Sequence, residues 1–307
     1  MSPSHNPSLT PMAVAATICM CVLFGVNPAA IKISQVGIGK FTVAGLRFTL
    51  AVVALTLWAL ATGRSFYVKR EHRKPLVIIS ILFTAQLSFF YLGISKTFAS
   101  RAALLANMVP FFVLGFAHFF IPEDRINLRK LIGMIIGFSG VIMVLLDRGA
   151  LSSQLHTGDL IILMAVFIWG GNAVFTKTVI HNYQAFQVIF YPMLFAIPVF
   201  FLEGWLWDGA MIARLDTPVV LALLYQGLIS AAIGFVVWNT LLKRYGASTL
   251  HSFIFIMPLA GVASGALLLG EPVTHHVVAA TLLVAVGIGI VNSKSRLTIP
   301  ALPVDKE

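Results

Sequence analysis

FGVNPAAIK at residues 24–32 and WGGNAVFTK at residues 169–177 are two versions of one phrase, pairing Gly25 with Gly170, Asn27 with Asn172 and Lys32 with Lys177 at a shift of 145. A second pair follows: MVPFFVLGFAHFFIPE at 108–123 aligns with IMPLAGVASGALLLGE at 256–271, matching Pro110 to Pro258 and Glu123 to Glu271 at a shift of 148. The first phrase closes an apolar run that starts at Met12 and is long enough to cross a bilayer. Inside lipid, proline strips a backbone carbonyl of its partner and an asparagine amide needs hydrogen bonds that hydrocarbon cannot give, so Pro28 and Asn27 require compensation. A feature that costs free energy and occurs twice points to a duplicated unit.

The rest of the chain fits that unit. Of 307 residues 59% are hydrophobic and 10% charged, against about 25% charged in a soluble domain. Runs of about 20 apolar residues give ten spans at 12–33, 40–62, 75–95, 99–121, 128–146, 158–179, 184–204, 217–242, 247–269 and 273–292. The first half, 1–150, and the second, 151–307, therefore carry five spans each. Five is odd, so the second copy threads the membrane in the opposite sense. The expected fold is all-α and integral to the membrane, with ten transmembrane helices in two inverted repeats around a central cavity. Connections are short, the longest being 63–74 and 205–216, so function is expected to lie within the bundle.

The formal net charge of +10 raises the question of nucleic acid, but the basic residues fall in short loops where they set orientation. Fourteen Lys and Arg lie at the amino tail, the even-numbered connections and the carboxy tail, against six in the odd-numbered ones. Both termini are expected to face the cytoplasm. Residues 1–11 contain no Lys or Arg and the first run exceeds a signal core, so the first span is expected to be retained. Cys19 and Cys21, two positions apart on one helix, point away from each other and are expected to pack rather than bridge.

Ten spans in two halves, with a proline-to-glutamate pattern in the fourth (Pro110 to Glu123, Pro122 standing where Gly is usual) and the ninth (Pro258 to Gly270-Glu271), resemble the EamA-type members of the drug/metabolite transporter superfamily. RFTLAVVAL at 47–55 and LIGMIIGFSGVIMVL at 131–145 are similar to that family's second and fifth spans. The resemblance implies export of amino acids and small metabolites through a central cavity, with the aromatic and neutral amino-acid exporters of bacterial inner membranes as the nearest subgroup.

Helical spacing selects the residues that would line such a cavity. Thr84, Ser88, Tyr91 and Ser95 share one stripe of the third span, with Gln86 on the other side. Asn107, Pro110, Leu114 and His118 share one in the fourth, and His251, Phe255, Pro258 and Val262 its counterpart in the ninth. Each small polar residue is as apt to mediate helix packing, but the stripes together favour a pathway. The resemblance implies that the helices carrying Asn27 and Asn172 flank the cavity, while an Asn-to-backbone clamp fixing a kink is the alternative role. Trp169, Tyr191 and Trp238, with Asn239 beside it, lie deep enough to contact an apolar cargo, while core packing is the commoner fate of one such ring. Pro28, Pro110 and Pro258 are expected to kink their helices. Lys32 and Lys177 are expected to snorkel. Arg47, read as the one basic residue inside a span, could hold a substrate carboxylate but is favoured for a structural role. Glu123 and Glu271 are expected to cap helix ends or pair with loops rather than to couple protons, and the glycines of GMIIGFSG and VGIG to pack helices closely or to form a dimer seam.

No cluster of His, Asp, Glu or Cys has the spacing of a metal site or hydrolase, and no glycine loop for ATP is present, so an integral membrane enzyme is the weaker reading. No metal or cofactor is expected. Partners are expected to be a small-molecule substrate and the lipid bilayer, not nucleic acid. With no second deep cation to neutralise a phosphate, a neutral or zwitterionic cargo is expected, amino acids first, with drugs, nucleobases or sugar derivatives as alternatives.

Overall fold

The computed structural model of the chain describes residues 10–121, 126–146, 153–245, 250 and 253–292. These are almost wholly helical. Among them nine helical stretches are long and apolar enough to cross a membrane, and the ninth span is represented by the shorter apolar helix Ile256–Leu269. In chain order the spans are Pro11–Ser34, Lys40–Ala61, Arg73–Lys96, Ala99–Ala106 continued by Val109–Phe120, Leu128–Leu145, Ser153–Val179, Gln187–Trp207, 217–245, Ile256–Leu269 and His275–Asn292. Ser34, Lys96 and Asp208 define the upper end of the bundle; Ala61 and Arg73 define the lower.

The two halves interleave. The first span packs on the ninth, the second on the seventh, the third on the sixth and seventh, and the fifth on the tenth. Each partnership has a twin when span n is exchanged for span n + 5: third with sixth mirrors first with eighth, and fourth with sixth mirrors first with ninth. Two copies of one unit thus clasp each other about a shared axis.

Lipid tails are as apolar as leucine, so the helices are held by close packing rather than by hydrophobic burial. Small residues make that possible. A Cβ on Gly25 would lie 2.6 Å from the carbonyl oxygen of Met257, so the first and ninth spans touch backbone to backbone. A Cβ on Gly287 would lie 2.7 Å from the Gly133 oxygen and 2.9 Å from the Gly137 nitrogen. The glycine stripes of the fifth and tenth spans therefore meet within the chain. Gly287→Ala is expected to destabilise the protein by ~1–3 kcal/mol through overpacking, read as a lower unfolding temperature in detergent; an unchanged temperature would contradict this seam.

Helix ends show how the copies are tied. Thr10, Asn127 and Asp216 cap their own spans, accepting from Ala13 N, Lys130 N and Val219 N. The second and fourth spans begin at Gly39 and Phe98, which offer no side-chain cap. Carboxylates from the second copy supply it. Asp208 accepts from Thr42 N at 3.0 Å and Thr42 Oγ1 at 2.9 Å, with Lys40 Nζ at 3.3 Å. Glu271 accepts from Ala99 N at 2.6 Å and Ser100 N at 2.8 Å. Lys32 does not snorkel; its ammonium donates to the carbonyls of Ile94 and Thr97 and closes the third span's C-terminus. At the lower end, ties among the described residues include neutral ones: Tyr183 Oη donates to His72 O at 2.5 Å, and Gln187 Nε2 to Ser65 O and Tyr67 O.

Three local features depart from uniform spans. Pro28 lies inside a continuous helix, whereas Pro110 and Pro258 stand in the first turns of their helices, where no intrahelical bond is lost, so neither is a mid-helix kink. The fourth span breaks at Asn107–Met108, just ahead of Pro110. In the eighth span Tyr225–Ile233 is π-helical. Cys19 and Cys21 are free thiols, the first exposed and the second buried.

Candidate functional site

A cavity of about 450 Å³ lies between the copies, walled by spans one to four and six to nine. The fifth and tenth spans, occupied with each other, contribute no wall residue. Aromatic side chains dominate: Phe24 and Trp238 meet edge to face at 5.9 Å, Phe48 and Phe83 at 5.5 Å, with Trp169 and Phe235 completing the wall.

The polar groups are few. Asn27 is there because Gly25 lets the first span lie against the ninth, and its Oδ1 is buried with no hydrogen-bond partner. Asn107, at the break in the fourth span, spends its amide on Ala103 O at 2.7 Å. Gln86 Oε1 accepts from Asn172 Nδ2 at 3.2 Å. Ser230 comes from the π-helical segment. Arg47 supplies the charge, with NH1 on Tyr91 Oη at 3.1 Å, the guanidinium 5.2 Å over the Phe48 ring, and a buried Nε without a partner. No Asp or Glu lines the cavity among the described residues. Such a chamber suits a cargo with an apolar body and a small polar end.

Asn27, Asn107, Trp169 and Trp238, with Pro28 and Pro110, are brought together here, and Asn172 reaches the wall through Gln86. The third-span stripe is not. Thr84 and Ser88 line a separate lateral chamber of about 690 Å³ between the second, third and seventh spans, where Ser88 Oγ bonds Glu203 at 2.8 Å. Tyr91 is wholly buried behind Arg47, and Ser95 is exposed. Gln86, assigned to the opposite side, faces the cavity instead. Tyr191 donates to Phe66 O in a lower-end chamber with Tyr67 and Arg73. Leu114 is buried, His118 Nδ1 accepts from Ile126 N at 3.2 Å, and Phe255 is exposed. Pro258 and Val262 are buried in the ninth span. His251 and Glu123 fall outside the described residues, as does the Asn239 side chain.

Sequence reasoning also missed a buried charge. Arg101, near the start of the fourth span, is 0% exposed and pairs with Asp159, itself 0% exposed, through NH2 at 2.5 Å and Nε at 3.0 Å, while NH2 also reaches Val144 O. Thr97 Oγ1 adds a bond to Asp159 at 2.6 Å. Arg47 is thus not the only basic residue within a span. The pair is self-neutralised and does not border the cavity, so among its described lining the cavity still presents one cation.

A family model described as the EamA-like transporter family matches residues 11–146 and 156–293, one segment per copy. An uncharacterized transporter of Bacillus subtilis, YoaV, is 24% identical over 88% of this chain and 93% of its own. A probable amino-acid metabolite efflux pump of Escherichia coli K12 is 26% identical, over 89% and 92%. A probable terminal-alkyne amino-acid exporter of Streptantibioticus cattleyicolor is 25% identical, over 77% and 80%. A crystal structure superposes with a TM-score of 0.69 over 91% of this chain and 97% of that one at 17% identity, a shared fold.

Proposed function

Since the chain belongs to the EamA-like transporter family, we propose that it exports small neutral or zwitterionic metabolites, amino acids including aromatic ones, through the central cavity by alternating access. The observation that carries this reading is the chamber between two clasped copies, rich in aromatic surface and holding one cation with no acid among its described lining. Relatives named for amino-acid efflux support the cargo class. The positive-inside bias supports cytoplasmic termini in a bacterial inner membrane, which makes the upper end the outer one. Charged caps tie that outer end, and among the described residues of the lower side the cavity shares Phe235 with a chamber bordered by Arg64 and Arg244. This asymmetry supports a cytoplasm-accessible state, with the inverted copies providing its mirror.

Glu203 sits in the lateral pocket rather than on the central path, which favours facilitated flux over obligate proton coupling. In vesicles reconstituted with the purified chain, labelled phenylalanine and leucine are expected to equilibrate faster than in empty vesicles, at a rate unchanged by an imposed pH gradient. No flux of any amino acid in a broad labelled panel would overturn the cargo class. A rate that follows the gradient would overturn facilitated export.

A further inference from the structure

Taking the central cavity as the cargo site, an assignment on which this inference rests, we propose that Arg47 recognises a free carboxylate on the cargo and that Tyr91 and Gln226 are positioning residues that aim it. Arg47 is a cation in an apolar wall without an acidic counterpart. The carboxylates among the described residues are engaged elsewhere: Glu71 with Lys69 and His72, Asp159 with Arg101, Glu203 with Ser88, Asp208 with Lys40, Asp216 with Arg214 and Glu271 with the fourth span's N-terminus. Arg47 is partly buried, and its Nε, shielded from water with no partner, is a costly donor to leave unpaired unless an anion visits it.

The geometry leaves one edge open. NH1 is held by Tyr91 Oη, so the Nε edge is presented for the parallel pairing that guanidinium makes with carboxylate. Tyr91 is fixed in turn: it is wholly buried, and its hydroxyl lies 3.3 Å from Gln226 Oε1. Gln226, on the π-helical segment, spends its amide on Ala30 O, Ser34 Oγ and Ala222 O, so its oxygen is committed toward Tyr91. Four spans thereby fix one rotamer. A lone cation also selects charge count. One carboxylate is neutralised, the unpartnered Asn27 Oδ1 can accept from an ammonium group, and the rings of Trp169 and Trp238 take the apolar side chain.

The test uses the full chain in vesicles with labelled L-phenylalanine as the probe and its amide, which lacks the anionic end, as competitor. The acid is expected to compete about tenfold or more better than the amide, the ratio that a charge-assisted contact supplies. In Arg47→Gln that ratio is expected to fall to about one as KM rises about tenfold with maximal flux retained. Arg47→Lys is expected to recover part of the preference, and Tyr91→Phe to raise KM several-fold while keeping the protein folded. Equal competition by acid and amide in the unaltered protein overturns the inference whether or not Arg47→Gln folds, and so does Arg47→Gln with its KM and preference intact. Vesicles of the unaltered protein that move no amino acid at all overturn the cargo assignment itself, a different result from either.

Discussion

Asp159→Ala is expected to cost ~3–5 kcal/mol of stability, the toll of leaving one member of a buried ion pair alone. The carboxylate takes both Arg101 Nε and NH2 and the Thr97 hydroxyl, and neither charged side chain reaches the surface. Without it the guanidinium keeps its desolvation penalty and loses its counter-charge. The measurement is the unfolding temperature in detergent, followed by tryptophan fluorescence and by recovery of monodisperse protein. Arg101→Met combined with Asp159→Leu is expected to regain most of the loss, because an apolar pair of similar volume has no charge to desolvate. A single variant as stable as the parent, or a double variant worse than either single one, would refute the pairing.

Glu271→Ala is the second large effect, and it separates stability from conformational balance. The carboxylate satisfies Ala99 N and Ser100 N at the start of the fourth span, where the chain's own cap position, Phe98, offers nothing. Removing it leaves two buried donors facing the helix dipole, about 2–3 kcal/mol. The contact runs between copies across the upper end, so under the proposed alternating access part of that energy is lost specifically from the state in which this end is shut. Ser100 is 1% exposed, and Ser100→Cys is a near-isosteric probe of that closure. A membrane-impermeant maleimide is expected to label Ser100→Cys slowly in the parent and about tenfold faster or more when Glu271→Ala is added. Equal labelling rates would show that the cap holds a helix and not a gate.

The spans were legible because lipid leaves little choice: a backbone in hydrocarbon must satisfy itself, so apolar runs of fixed length become helices. The duplication was legible because the unusual residues recur. Which face of a span looks inward was not. Thr84 and Ser88 lie on one stripe as their spacing requires, but each hydroxyl bonds a carbonyl four residues back, Thr84 to Ser80 and Ser88 to Thr84, so it is tolerated on any face. Gln86 has an amide that cannot be satisfied so locally, and it found Asn172 across the bundle. A long amide is therefore a better marker of the interior than a row of hydroxyls. Arg101 and Asp159 are 58 residues apart and meet only because the start of the fourth span packs against the sixth, a pairing with no local signature. Glu271 was read as a capping residue, and it does cap, though on a helix in the other copy.

That interleaving bears on how the molecule is made. A nascent chain inserts its helices one by one, and insertion precedes assembly. When the fifth span has left the ribosome, the surfaces that will take the sixth, seventh, ninth and tenth are still bathed in lipid, because the main partnerships all run between copies. The amino-terminal half must wait, loosely gathered, until its reversed sister arrives. Quality control has its widest opening during that interval, and two separately synthesised halves should survive only in each other's company.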